Sequence, residues 1–218
     1  MVCCEFEPME LELRAQGYCL ICGVDEAGRG PIAGDVYAAA VILPQAYDLP
    51  DLNDSKKLSA KQRDILERLI KEQAVAWAVA LATVEEIERI NILRASLLAM
   101  KRAVEALAVR ADYALVDGNF LPALQIPGRA VIKGDARAAS VAAASILAKT
   151  ARDRAMAALG ELYPGYGFAQ HKGYGTKAHY EALEKLEPCP IHRRTFLHLG
   201  VRNQGSGIRS QGVLTPDS

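Results

Sequence analysis

No stretch of this sequence approaches the roughly 18 to 20 uninterrupted apolar residues that a membrane-spanning helix requires. The opening MVCCEFEPMELELR is acidic where a secretory signal is basic. A cytoplasmic protein with no membrane partner is therefore expected. Net charge is lacking too: 26 lysines and arginines balance 26 aspartates and glutamates over 218 residues. A zero total names no partner, yet it leaves room for a basic face beside an acidic pocket, so any nucleic-acid reading must rest on local clusters. Cysteine is scarce, and the odd count of five argues against a disulfide framework. Cys19 and Cys22 have C-x-x-C spacing, but they lie in a strand-like run where positions three apart face opposite sides, and no second close pair follows. Buried packing thiols are the better reading. Internal repeats are absent, and the length suits one domain.

Periodicity supplies the elements. YCLICGVDEAG reads as a strand and Asp35–Leu43 as a second, joined as a hairpin by a turn rich in glycine and proline. The segment LNDSKKLSAKQRDILERLIKEQ begins as a polar loop and becomes a helix capped by Ser59, with Ile65, Leu66, Leu69 and Ile70 on one face. VAWAVALAT returns to strand character. Apolar positions then recur at three and four from Val84 to Ala108, a long helical pattern with a break near Asn91. YALVDG and GRAVIKGD are short strands, each ending in an acid. The small residues of ARAASVAAASILAKTARDRAMAAL let a helix lie close to a sheet. YPGYGFAQHKGYGT is expected to be an irregular loop, and KAHYEALEKL a short helix capped by Thr176. This order predicts an α/β protein with a mixed sheet flanked by helices. Residues 1–17 form an N-terminal segment, 18–202 the domain, and 203–218 a tail without periodicity or apolar mass that is expected to be disordered.

Asp25, Glu26, Asp117 and Asp135 all follow apolar strand runs. Strands side by side, about 4.8 Å apart, would bring these carboxylates into one cleft. Bare, such a cluster repels itself unless divalent cations neutralise it. Oxygen-only ligation selects Mg²⁺ or Mn²⁺ over zinc. Two such ions, about 3.5 to 4 Å apart, activate a water and stabilise a departing alkoxide, which is the chemistry of phosphodiester hydrolysis. Any one acid is equally a strand end, a helix cap or a partner for Arg29, Lys133 or Arg137; the constellation carries the argument. Successive strand residues face opposite sides, so Asp25 and Glu26 reach one site only if the strand distorts, and Gly28 and Gly30 make a bulge cheap. GVDEAGRG also matches the outer spacing of a phosphate loop, but Arg29 and Gly30 replace its lysine and hydroxyl, which excludes nucleotide binding of that type.

Seven blocks in order, GVDEAGRGPIAG, LNDSKKLS, NILRASLLAMKRAV, LVDGN, IKGDARAASVAAASILAKTARD, YGFAQHKGYGT and HRRTF, together resemble ribonuclease HII, the bacterial type 2 ribonuclease H. The resemblance runs from about Cys22 to Phe196. It implies a ribonuclease H-like mixed five-stranded sheet flanked by helices, with a C-terminal helical extension. It also implies metal-dependent cleavage of RNA in RNA/DNA hybrids, leaving a 3′-hydroxyl and a 5′-phosphate, and incision 5′ to single ribonucleotides in duplex DNA. The family's acidic quartet maps onto Asp25, Glu26, Asp117 and Asp135, and its ribose-sensing turn and tyrosine onto Gly28, Arg29, Gly30 and Tyr174. Type 3 relatives carry an extra N-terminal domain and a glutamate as fourth acid, whereas this chain has Asp135.

Glycines let backbone groups approach a sugar, and the 2′-hydroxyl is what separates RNA from DNA. Lys56, Lys57, Lys172, Lys177, Arg193 and Arg194 are candidates for phosphate contacts. His171 and His192 read as structural hydrogen bonders, and Ser145 as a small packing residue. A monomer is expected, and a sliding-clamp contact through the tail is left open. Two other functions compete: a non-catalytic nucleic-acid binder, which the intact quartet argues against, and a DNA-directed nuclease of the same fold, which has no need of a ribose sensor.

Overall fold

The computed structural model describes residues 6–53, 55 and 58–197. Five strands form one mixed sheet: β1 (Ile21–Ala27), β2 (Val36–Ile42), β3 (Ala76–Ala82), β4 (Tyr113–Asp117) and β5 (Gly128–Val131). Their order is β3-β2-β1-β4-β5; β1, β2 and β3 pair antiparallel, while β4 and β5 continue parallel to β1. The resulting ribonuclease H-like sheet is the predicted one. Helix α1 (Met9–Ala15) precedes it, α2 (Ala60–Gln73), α3 (Val84–Ile90) and α4 (Ile92–Glu105) lie between strands, and α5 (Ala139–Leu162), α6 (Phe168–His171) and α7 (Lys177–Leu186) follow. Among the described residues no helix is long and apolar enough to cross a membrane.

The central strands are buried on both faces, and alternation sorts their side chains. Ala38, Ala40 and Ile42 of β2 join Cys22 and Val24 of β1 against Ala95, Ala99 and Ala103 of α4. Ala39 and Val41 turn the other way, onto Ala142, Ala143, Ile146 and Leu147 of α5. The alanine-rich sequence of α5 permits very close approach: a Cβ added at Gly23 would lie 2.0 Å from the Ser140 carbonyl carbon. Because β1 alternates, Asp25 stands two residues beyond Gly23 on this same α5 face.

Local chemistry sets the boundaries. Ser59 and Gln62 close a capping box at the start of α2, and Thr83 and Glu86 do the same for α3. The predicted break falls at Asn91, which adopts φ 67° and accepts from the Arg94 N–H to start α4. Thr176 caps α7 as expected. The glycine-rich segment is more ordered than its composition suggests. It contains the single turn of α6, bracketed by left-handed Gly167 and Lys172, because Phe168 is fully buried against Tyr166 and the histidines. The strand expected to run to Asp135 ends at Val131; left-handed Lys133 turns the chain into a short 3₁₀ turn, Gly134–Ala136, that carries Asp135.

The first helix is integrated with the rest. Met9 and Leu13 are buried with Ile21, Leu115, Val131, Ala138 and Val141. Glu10 accepts from both the N–H and the hydroxyl of Ser140, at 3.0 and 2.8 Å, and so serves the first turn of α5. The tail beyond Arg202 and both Cys3 and Cys4 lie outside the described residues.

Candidate active site

At the carboxyl end of β1 the ladder with β4 stops at Val24 paired with Val116, while the ladder with β2 continues one-for-one to Ala27. The register therefore contains no bulge between Asp25 and Glu26, contrary to the sequence expectation. The two acids meet because β1 outruns β4, leaving an open edge around which side chains can reach. The Glu26 N–H donates to Asp25 Oδ1 at 2.7 Å, drawing that carboxylate toward its neighbour. Asp117 ends β4 beside them, and one carboxylate oxygen from each of Asp25, Glu26 and Asp117 falls within 4.8 Å of the others. Asp117 Oδ1 accepts from the Gly134 N–H at 2.6 Å, which ties it to the turn bearing the buried Asp135. Asp135 itself stands outside that group of three.

Burial, then repulsion from Glu26 and Asp117, pushes the Asp25 carboxyl well above the usual range, against hydrogen bonds from Ser145 and the Glu26 amide. Burial also raises Glu26, opposed by Arg29, whose guanidinium lies 3.2 Å away. Three acids forced together inside a fold, with oxygen donors alone, are the chemistry of a hard divalent-cation site. Among the described residues this is the metal-competent cluster, and the C-x-x-C pair forms none, with Cys19 exposed and Cys22 buried.

The same cleft, about 250 Å³, is walled by Gly28, Arg29, Gly30, Ser55, Ser145, Lys149, Arg152 and Tyr174. Gly28 has φ +101° and faces the Arg152 side chain so closely that a Cβ would meet Nε at 2.1 Å, so only glycine fits there. Gly30 is open on its Cβ side, where Tyr174 is the nearest neighbour at 3.8 Å. Tyr174 is about half exposed, its ring 6.0 Å from the Arg152 guanidinium. Arg194 is exposed, Lys177 pairs with Glu181, and Lys172 reaches the Asp153 carbonyl at 3.4 Å. Lys56 and Lys57 lie outside the described residues.

Arg193 requires correction. It is fully buried and donates five hydrogen bonds, to the carbonyls of Gly28, Arg29, Pro31 and, twice, Gly34. Burial, then repulsion from Arg152, lowers its pKa to about 9. It therefore holds the glycine turn from behind rather than meeting a phosphate. Arg193→Lys is expected to cost about 2 to 4 kcal/mol, because a point-charge ammonium leaves at least one buried carbonyl unmet; a chemical denaturation series measures it.

Sequence reasoning missed Ser145, Ser55 and Arg152. The Ser145 hydroxyl bonds Asp25 and sits 2.9 Å from Ser55 Oγ. Arg152 donates to the carbonyls of Ala33 and Asp35. No local signal distinguishes a hydroxyl or guanidinium with such a role from its neighbours on one helix. His171 and His192 are hydrogen-bonded within the protein, as expected, and His192 is buried against His179, which the sequence reading did not single out.

A mixed sheet of this order whose strand ends gather buried acids into an oxygen-only site defines a metal-dependent phosphodiester hydrolase of the ribonuclease H-like class. Residues 22–199 match the family model for Ribonuclease HII, and the chain belongs to the ribonuclease HII family. Ribonuclease HII of Dechloromonas aromatica (strain RCB) is 62% identical over 177 residues, which span 81% of this chain and 90% of that relative. Among solved structures, the ribonuclease H2 from Pyrococcus horikoshii OT3 matches with a TM-score of 0.65 at 28% identity, covering 80% of this chain and 92% of that one. The RNase HII of the PCNA:RNase HII complex from Archaeoglobus fulgidus matches with a TM-score of 0.69 at 25% identity, over 85% of this chain and 97% of that one. The protein is a metal-dependent endoribonuclease acting on RNA/DNA substrates.

Proposed function

We propose that the enzyme incises duplex DNA on the 5′ side of single embedded ribonucleotides as well as cutting the RNA strand of hybrids. The supporting observation is that Asp25 and Glu26 share one cleft with the glycine turn and Tyr174. In this reading Asp25, Glu26, Asp117 and Asp135 hold two divalent cations, Mg²⁺ or Mn²⁺. Cations held there supply Lewis acidity for an attacking water and for charge on the leaving oxygen. Asp25 is oriented for this by Ser145 and the Glu26 amide. Attack at phosphorus breaks the bond to the 3′-oxygen, which leaves as a 3′-hydroxyl while the phosphate stays on the 5′ side of the ribonucleotide.

Gly28, Arg29 and Gly30 present backbone groups to the ribose, since nothing fills the space beside Gly30 except the edge of Tyr174. Tyr174 supplies a flat face and a hydroxyl to the sugar with the 2′-hydroxyl. Lys56, Lys57 and Arg194 serve the phosphates. The protein works as a monomer, and the archaeal relative's complex with PCNA supports a sliding-clamp contact here too.

The test is a DNA duplex with one ribonucleotide, a matched all-DNA duplex and a long hybrid, each with Mg²⁺, with Mn²⁺ and with chelator. The expected result is one cut immediately 5′ to the ribonucleotide, cleavage of the hybrid, an intact all-DNA duplex, and no cleavage under chelation. Cutting of the all-DNA duplex overturns the ribose-sensing role, and cleavage in chelator overturns the cation role.

A further inference from the structure

Beneath the Tyr174 loop lie three histidines in contact: His171 stacks on His179 with ring centroids 4.2 Å apart, and His179 faces His192. His179 and His192 are essentially inaccessible to solvent. The polarity of their backbone partners assigns every proton. His179 Nδ1 lies 2.9 Å from the Tyr174 carbonyl oxygen, which can only accept, so Nδ1 carries the hydrogen. A neutral His179 then has a bare Nε2. His192 Nε2, 3.0 Å from it, must be the donor in that pair. His192 Nδ1 is left bare; the Cys189 amide, which can only donate, faces it at 3.0 Å, with the Cys189 Sγ and carbonyl oxygen each at 3.2 Å.

One directional chain results, from the Cys189 N–H through His192 and His179 to the Tyr174 carbonyl. The Tyr174 carbonyl can only accept, so with both rings neutral a single pair of tautomers satisfies the two ring contacts, and the Cys189 amide at the far end is the closest group to His192 Nδ1. An added proton on His179 would set N–H against N–H at its 3.0 Å contact with His192, and one on His192 would set Nδ1–H against the Cys189 N–H. Burial disfavours a charge on either ring, lowering His179 to about 4 and His192 below its ordinary value. His171 is anchored separately: its Nδ1 accepts from Gly173 N–H at 3.1 Å, and its Nε2 donates to the Tyr166 carbonyl at 2.7 Å.

The other side of the same segment reaches the glycine turn. His192 bridges Ala33 across the backbone, and Arg193 next to it holds the carbonyls of Gly28 and Arg29. The Ile32 N–H donates to Gly173 O at 2.9 Å, and the Arg193 N–H to Ile32 O at 2.8 Å. The stretch from Cys189 to Arg193 thus stands between the two parts of the cleft that would meet a ribose.

We infer that His192 and His179 are positioning residues for ribonucleotide recognition, fixing Tyr174 against the Gly28–Gly30 turn through this directional hydrogen-bond chain. The inference rests on the proposed sensing role of Tyr174. Its consequence is greatest where only one register of the substrate is productive, at a lone ribonucleotide, and smaller on a long hybrid that offers many registers.

The experiment uses the full chain with His192→Gln, His192→Asn and Tyr174→Ala. It reads the ratio of kcat/KM on a single-ribonucleotide duplex to that on a long hybrid, together with Tm. A glutamine amide reaches the Nε2 position and keeps the bond to His179; an asparagine amide reaches the Nδ1 position and keeps only the bond to Cys189. His192→Gln is expected to stay within about threefold of the parent ratio and His192→Asn to lose about tenfold, the scale of one hydrogen bond. Equal ratios for the two variants, or a loss that follows Tm on both substrates, overturn the chain as a positioning device. A ratio that falls for Tyr174→Ala but not for His192→Asn overturns the chain and spares the sensing role. A ratio unmoved by Tyr174→Ala overturns the sensing role and the chain with it. On the parent protein, imidazole ¹⁵N shifts are expected to show Nδ1–H on His179 and Nε2–H on His192. The opposite tautomer in either ring overturns the assignment even if a variant fails to fold.

Discussion

Asp25→Asn is expected to reduce cleavage by about a thousandfold or more while duplex binding stays close to the parent's, because on the proposed reading the change removes one cation ligand and leaves the proposed basic and glycine contacts intact. The same substitution is expected to raise the Tm of the metal-free protein at neutral pH. Asp25 is buried against Glu26 and Asp117, which lift its carboxyl well above the usual range. A carboxyl whose folded pKa exceeds its unfolded pKa of about 3.9 favours the fold most below that unfolded value. This contribution is lost progressively as pH rises from the unfolded value to the folded one, after which a constant penalty remains. Asparagine does not titrate and escapes that penalty. Adding Mg²⁺ should reverse the order, stabilising the parent and barely moving the variant. Differential scanning calorimetry in chelator and in Mg²⁺, beside a cleavage assay, measures both effects. Near-normal turnover by the variant would refute the cation role, and a lower Tm in chelator would show that Asp25 is held by contacts that outweigh its repulsion.

Gly23→Ala is expected to be the most disruptive small substitution in the sheet. The added carbon would lie 2.0 Å from Ser140 C, 2.2 Å from Val141 N and 2.4 Å from Ser140 O, and all three are backbone atoms of α5 that no rotamer change can clear. Relief requires α5 to lift off β1, which opens the contact holding Ala142, Ala143, Ile146 and Leu147 against β2. A cost above about 4 kcal/mol is expected, a large share of the roughly 5 to 15 kcal/mol that stabilises a domain. For a chain of this size it corresponds to a Tm drop of about 8 to 16 °C, or to insoluble protein. The loss of activity should exceed the loss of folded protein, because Ser145 on the displaced helix bonds Asp25 two residues along β1. A Tm within a few degrees of the parent would mean that α5 can shift cheaply.

The second example also marks where local reading stops. Gly23 lies inside an apolar run and looks like a weak point of a strand, yet its value is set by a helix more than a hundred residues later. Gly28 is similar: the turn was legible, but the Arg152 side chain that forbids a Cβ there was not. Arg193 was legible as a cation and misread as a phosphate contact, since its partners are carbonyls as far as 165 residues away. Ser145 reads as a small packing residue because nothing in AAASILAK says which residue of that helix lies opposite Asp25.

Repeat distances along the chain are local properties of the backbone, so apolar runs marked the strands, apolar positions at three and four marked α2 to α4, small residues marked α5, and acids following apolar runs marked the ends of β1 and β4. Only the tertiary structure decided which groups meet. It ended the β1–β4 ladder one residue short of Asp25, buried Arg193 behind the glycine turn, and joined Cys189 to Tyr174 through two histidines. Such contacts depend on strand order and helix placement, which pattern constrains but does not encode residue by residue, because a hydrogen bond or a charge interaction is set by distances of a few ångströms between segments far apart in sequence.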